Sequence, residues 1–216
     1  MFYLPLPIIL FVLLILALPF LIILIQLNIV EIAFANLGLS AGNSFALLII
    51  ILIGSLINIP LFRKKAQREY IDYSSLLPMM NARKNSTVIA VNVGGCIIPL
   101  LLSLRLLPTV PFERLIVGVL IVSIASYFSS RPVKHTGIAV SFILPLIFTI
   151  VTTLLLAPPG ARPAFAFIAG TWGILIGADL MHIKDLEKIG AGVLSIGGAG
   201  VFDSIFIIGI LAAFLF

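Results

Sequence analysis

The two residues best placed to do chemistry are Asp179 and Asp203. Asp179 lies in the run Gly173-Ile-Leu-Ile-Gly177-Ala178-Asp179-Leu180, and Asp203 in Gly197-Gly198-Ala199-Gly200-Val201-Phe202-Asp203-Ser204. A charged side chain at the centre of a bilayer costs about 2.5–3.5 kcal/mol on insertion scales, so a carboxylate kept inside an apolar helix is a candidate functional group. Two carboxylates facing each other cannot both ionise cheaply. They would share a proton, one serving as general base and the other as general acid. The same pair could instead hold a proton or a cation in transit. The structural alternative for each is a carboxyl that caps a broken helix or bonds a hydroxyl.

Weaker candidates surround them. Asn92 precedes Gly94-Gly95, and Ser195 precedes Gly197-Gly198. Paired glycine interruptions in corresponding segments point to discontinuous helices around a substrate or ion pathway, which here would include Asn92, Gly94, Gly95, Gly177, Gly197, Gly198 and Gly200. The same small residues would let helices approach closely, which is their structural reading. Asn58 beside Pro60, and Pro99 and Pro145 inside apolar runs, would each free backbone groups or mark an ordinary kink. His182 comes three residues after Asp179, a spacing that would let both face one side of a helix, although a histidine at a membrane edge is ordinarily interfacial. No metal is expected. Cys96 is the single cysteine, which excludes a disulfide framework, and in its apolar setting it reads as a small inert hydrophobe. Asp72 reads as a solvated loop charge. A phosphate-binding loop, a zinc-type His-Glu spacing and a nucleophile elbow are all missing from the sequence, so neither soluble-type hydrolase chemistry nor a cofactor is expected.

Composition sets the scaffold on which these residues are carried. Of 216 residues 62% are hydrophobic and 10% charged, against about 45–50% and 25% in soluble domains. The chain reads as a single integral membrane domain over 1–216. Apolar runs near 20 residues, without ten-residue alternation, predict helices and not a barrel. Seven spans are expected: about 4–27, 45–62, 87–104, 112–128, 137–157, 164–183 and 196–216. Helices six and seven run in opposite directions, which puts Asp179 about 6 Å and Asp203 about 8–10 Å from the same boundary at 1.5 Å per residue. The apolar stretch 4–27 has no basic leader or small-residue cleavage site and reads as a retained span. Residues Val30–Asn43 are mildly amphipathic and could lie in the interface, and Arg63–Ser86 is the longest polar stretch.

With the N-terminus cytoplasmic, ten of the thirteen Lys and Arg residues fall in inside loops and only Arg105, Arg114 and Arg162 outside. That asymmetry sets a cytoplasmic N-terminus and an outside C-terminus. It also accounts for the net charge of +5 as topology and contact with anionic lipid, with no nucleic-acid partner expected. The reading is an all-α, polytopic transmembrane bundle in the cell membrane. Its partners would be the lipid bilayer and either a membrane-protein substrate or a small ion or solute.

The segments Asn58-Ile59-Pro60, Val91-Asn92-Val93-Gly94-Gly95 with Ile98-Pro99, Arg131-Pro132-Val133, Gly177-Ala178-Asp179-Leu180 and Ser195-Ile196-Gly197-Gly198-Ala199-Gly200-x-Phe202-Asp203 resemble a family of uncharacterised archaeal and bacterial multi-span membrane proteins, a domain of unknown function. That resemblance implies a helical membrane fold and includes both aspartates in family motifs. A looser, partial likeness is to the GxGD intramembrane aspartyl proteases, which implies a catalytic role for Asp179 and Asp203. Gly177 stands two residues before Asp179 and Gly200 three before Asp203, so neither is a Gly-x-Gly-Asp; Tyr70-x-Asp72 is not an adjacent Tyr-Asp pair, and no Pro-Ala-Leu occurs. Three functions stay open: an intramembrane aspartyl protease, a small transporter or channel using the same aspartates, and a non-catalytic assembly or lipid-binding protein.

Overall fold

The computed structural model describes residues 26–65, 86–133, 137–183 and 193–216. The first expected span lies almost wholly outside these residues, as do Asp72, Arg68, Arg83, Lys84, Lys134, Lys184 and Lys188. Helix α1 (Gln26–Asn36) turns through 112° into α2 (Ala41–Ser55). The segment read as amphipathic forms this corner, with one face packed inward: Ala33 and Phe34 are buried, and the Asn36 amide donates to the carbonyl of Ala213 at 2.9 Å.

Helix α2 stops at Ser55, short of the expected Phe62, and the chain continues as strand β1 (Asn58–Lys65). Pro60 explains the switch. It drives the preceding Ile59 out of helical geometry, and its own ring would meet the carbonyl one turn back. Strand β2 (Ser86–Asn92) takes the place of the first turns of the third expected span, because Thr87, Val88, Ile89 and Val91 are β-branched. β2 pairs antiparallel with β1, Asn58 opposite Asn92. It then enters a π-helical turn (Val93–Ile97) and helix α3 (Ile98–Leu106).

Helix α4 (Phe112–Ser129) matches the expected fourth span. It leads into a hairpin of β3 (Ser130–Val133) and β4 (Gly137–Val140), so helix α5 (Ile143–Leu156) begins later than the sequence predicts. Helix α6 (Arg162–Ile174) continues as a second π-helical turn (Leu175–Leu180). Strand β5 (Val193–Ile196) pairs parallel with β2, and helix α7 (Ala199–Leu215) closes the described chain. The expectation of a purely helical protein is thus corrected: the fold is mostly helical, with a three-stranded sheet β1-β2-β5 and a two-stranded sheet β3-β4.

Phe112–Ser129 and Pro159–Leu180 are long and apolar enough to cross a membrane, and the bent pair α1–α2 makes a third if taken as one span. Val93–Thr109, Ile143–Leu156 and Gly200–Leu215 are apolar but shorter, because their flanking residues are given to strands or turns. Outward-facing Leu120, Ile124, Phe128, Ile143, Ile147 and Leu155 are exposed, an apolar surface that water would not tolerate at this density. The protein is membrane-associated.

Helix α6 is the hub of the bundle, packing on α3, α4, α5 and α7, with Phe165, Ile168, Ala169 and Ile174 sealed from solvent. Its glycines permit that contact. A Cβ on Gly173 would lie 2.4 Å from Val122, and one on Gly177 2.1 Å from the Ser123 carbonyl oxygen. Four buried hydroxyls are satisfied locally: Ser103, Ser123, Thr149 and Thr153 each donate to the carbonyl four residues back. These four sit inside the bundle without a partner from another helix, whereas the Ser126 and Thr171 hydroxyls are buried with no hydrogen-bond partner among the described residues.

Candidate functional site

Three strand–helix junctions meet at one end of the bundle: α2 to β1 at Asn58, β2 to the π-helical turn at Asn92, and β5 to α7 at Gly197-Gly198. Each junction leaves backbone groups without helical partners, and side chains packed beside it take them up. Asn92 is buried. Its amide nitrogen donates to the Ser55 carbonyl at 2.7 Å and to Asn58 Oδ1 at 3.1 Å, and its Oδ1 accepts from the Gly95 N–H at 2.7 Å. The Ser195 hydroxyl donates to the same Asn58 oxygen.

Asp179 completes the junction of β5 and α7. Its side chain is buried, and its Oδ2 accepts the Gly197 N–H at 2.6 Å. Gly197 has a φ of +69°, the left-handed region where a Cβ is penalised. The two glycine breaks are pressed together. A Cβ on Gly95 would fall 2.0 Å from the Gly197 carbonyl oxygen, and one on Gly94 2.1 Å from the Ile51 carbonyl oxygen across in α2. Cys96, also buried, lies against the same link, its Cβ 2.9 Å from where a Cβ on Gly197 would fall.

A family model described as a protein of unknown function (DUF1614) matches residues 52–215. The chain belongs to that family. No curated protein matches it, and neither does any solved structure. The match takes in every residue of the three junctions and both aspartates, and the DUF1614 description carries no activity.

In this DUF1614 protein the residues singled out by sequence separate into two groups. Asn92, Gly94, Gly95, Gly197 and Asp179 are gathered at the junctions, with Gly198 forming the N-terminal cap of α7. Gly177 serves the α4–α6 contact, and Gly200 abuts the Ile138 carbonyl of β4, where a Cβ would lie 2.4 Å away. Asp203 belongs to neither group. Val201, Ser204, Ile205 and Ile208 mark the inward face of α7; Asp203, two residues after Val201, is rotated about 200° from it and is exposed. Among the described residues no hydrogen bond joins the two carboxyls.

His182 is buried, as Asp179 is, and among the described residues no hydrogen bond joins the two. The imidazole follows the π-helical turn over Leu175–Leu180 and stacks on Tyr127 at 4.5 Å between ring centroids, with Nδ1 3.2 and 3.1 Å from the carbonyl oxygens of Gly177 and Ala178. Among the described residues no group of three or more His, Cys, Asp or Glu is placed to hold a metal ion. The central role of Asn58 is the feature that sequence reasoning undervalues. Its signal is present in Asn58-Ile59-Pro60: a side-chain amide at the last position before an obligatory helix stop.

Proposed function

We propose that this is a multi-pass protein of the cell membrane, spanning seven times with a cytoplasmic N-terminus, that hydrolyses peptide bonds within or at the edge of the membrane using Asp179 and Asp203. The observation that carries the reading is that the two carboxyls flank a single Gly197-Gly198 link, one buried and one exposed. Unlike environments for two carboxyls are what a division into general acid and general base requires. In hydrolysis one carboxylate takes a proton from water as that water adds to the scissile carbonyl, and the other carboxyl delivers a proton to the departing nitrogen. Productive geometry needs Asp203 to be brought to Asp179. Strand β5, which leads into the link, forms one edge of its sheet among the described residues. Such an edge suits an extended polypeptide.

The topology is supported by how charge is distributed over the bundle. Arg63, Lys64, Lys65 and Arg131 lie on strands at the end where the junctions meet, and Arg105, Arg114 and Arg162 lie toward the other end. By the positive-inside rule the junction end faces the cytoplasm.

The test is cleavage of a panel of single-span reporter proteins co-reconstituted with the full chain in liposomes, with fragments identified by mass spectrometry. Asp179→Asn and Asp203→Asn should each lower the rate by about 10²-fold or more, the usual contribution of acid–base groups. Unchanged cleavage in Asp203→Asn sinks the dyad. A second reading, a small transporter or channel, is favoured by the glycine breaks lying back to back beside the buried Asp179. It is the one to adopt if no reporter is cut while the same liposomes carry a proton or cation flux that Asp179→Asn abolishes. The third reading, a non-catalytic assembly or lipid-binding protein, holds if both aspartates can be replaced without consequence.

A further inference from the structure

At the end of the bundle away from the junctions, α2 and α3 part company. Helix α2 packs on the π-helical turn that precedes α3, where a Cβ on Gly54 would lie 3.0 Å from both the Gly94 nitrogen and Ile98 Cδ1, and not along α3 itself. Between the splayed helices runs an open groove of about 500 Å³. One wall is formed by Asn43, Ala46 and Ile50 of α2, the other by Ile98, Leu101 and Arg105 of α3. On each helix these positions are three, four or seven residues apart, the spacing of one face, so the groove runs along both helices for about 10 Å.

The groove is apolar along its length and polar at one mouth. Ile50 and Leu101 are more than half exposed, and Arg105 and Asn43 stand together at the end. Arg105 makes no ion pair among the described residues, and α2 starts beside it with no acidic residue in its first turn. The uncapped N–H groups of that turn add a second positive feature to the same mouth. An apolar channel ending in an unpaired guanidinium and a side-chain amide matches one class of ligand. We propose that the groove binds an anionic glycerophospholipid, its acyl chain between α2 and α3 and its phosphate on Arg105 and Asn43. A guanidinium is suited to phosphate oxygens because its forked donors engage two at once.

Native mass spectrometry of the full chain, purified in detergent and titrated with phosphatidylglycerol or phosphatidylcholine, tests this directly. The unsubstituted protein should retain phosphatidylglycerol in preference to phosphatidylcholine, and Arg105→Gln should weaken phosphatidylglycerol binding by about tenfold or more, as loss of a charge-assisted phosphate contact predicts. Ala46→Trp, which fills the groove from an exposed position, should displace both lipids. Retention of phosphatidylglycerol within twofold of the unsubstituted protein in Arg105→Gln overturns the proposal, and that variant, at an exposed side chain, decides the matter even if Ala46→Trp does not fold. A dimer that Ala46→Trp converts to monomer while lipid binding stays unchanged also overturns it, and assigns the groove to a second copy of the chain.

Discussion

Replacing Gly197 by alanine probes the junction of β5 and α7 at the point where most is demanded of it. The new methyl meets two independent obstacles. At φ +69° a residue with a Cβ is strained by about 1–2 kcal/mol. The added carbon would also lie 2.7 Å from the Gly95 carbonyl carbon and 2.9 Å from Cys96 Cβ; these are backbone and short side-chain atoms that cannot swing aside, and overpacking of this kind costs about 1–3 kcal/mol. Any backbone shift that relieves the contact lengthens the 2.6 Å bond from Gly197 to Asp179, which forfeits part of the roughly 0.5–1.5 kcal/mol such a bond contributes. The total is about 2–6 kcal/mol, a large share of the 5–15 kcal/mol that typically separates folded from unfolded protein. Reversible unfolding of the full chain in mixed micelles would measure it, monitored by the fluorescence of Trp172, the single tryptophan, which packs against the main apolar cluster. Gly42→Ala is the control: it lies in α2 with nothing within 4 Å of the added carbon and should leave stability unchanged or raise it by up to about 1 kcal/mol. Gly197→Ala unfolding within about 0.5 kcal/mol of the parent would refute the reasoning, because neither the strain nor the overpacking could then exist as described.

Other outcomes rest on the same geometry. Asp179→Asn keeps an oxygen that can accept the Gly197 N–H and should unfold within about 1 kcal/mol of the parent, whereas Asp179→Ala leaves that buried donor unpaired and should cost about 1–3 kcal/mol; the same micelle assay separates them. Gly177→Ala puts a methyl 2.1 Å from the Ser123 carbonyl oxygen and should destabilise by about 1–3 kcal/mol through the α4–α6 contact, with crosslinking between cysteines placed on those helices reporting the separation. His182→Phe preserves the stack on Tyr127 but removes the nitrogen facing the Gly177 and Ala178 carbonyls, and should lower stability by about 1 kcal/mol while leaving the far-ultraviolet circular dichroism unchanged.

The legible part of the fold is local. Helix α4 can be read to within a residue because its sequence is predominantly apolar beyond the charged Glu113-Arg114 of its first turn and Pro111 stands at its start. The strands escape such a reading, because apolar windows make a β-branched run such as Thr87–Val91 look like the opening turns of a membrane helix. Only pairing distinguishes them: Val88–Val91 become a strand by lying between β1 and β5, and β5 comes from more than a hundred positions away in the chain. His182 illustrates the same limit on a smaller scale: its stack on Tyr127 depends on a ring more than fifty positions away in the chain, which no local spacing announces.

Composition and spacing alone establish the solvent and the shortlist of candidate residues. Burying that much apolar surface requires lipid, and scarcity of charge makes Asp179 and Asp203 conspicuous before any tertiary contact is considered. The sequence also places glycine pairs at two interruptions, Gly94-Gly95 and Gly197-Gly198. It took tertiary structure to decide that the two interruptions press against each other, that Asn58 and Asn92 tie them together, and that Asp179 turns inward onto Gly197 while Asp203 turns outward. The reason is geometric: which way a side chain faces depends on helix period and on the neighbour that fills the groove beside it, and both are set by contacts between segments far apart in the chain.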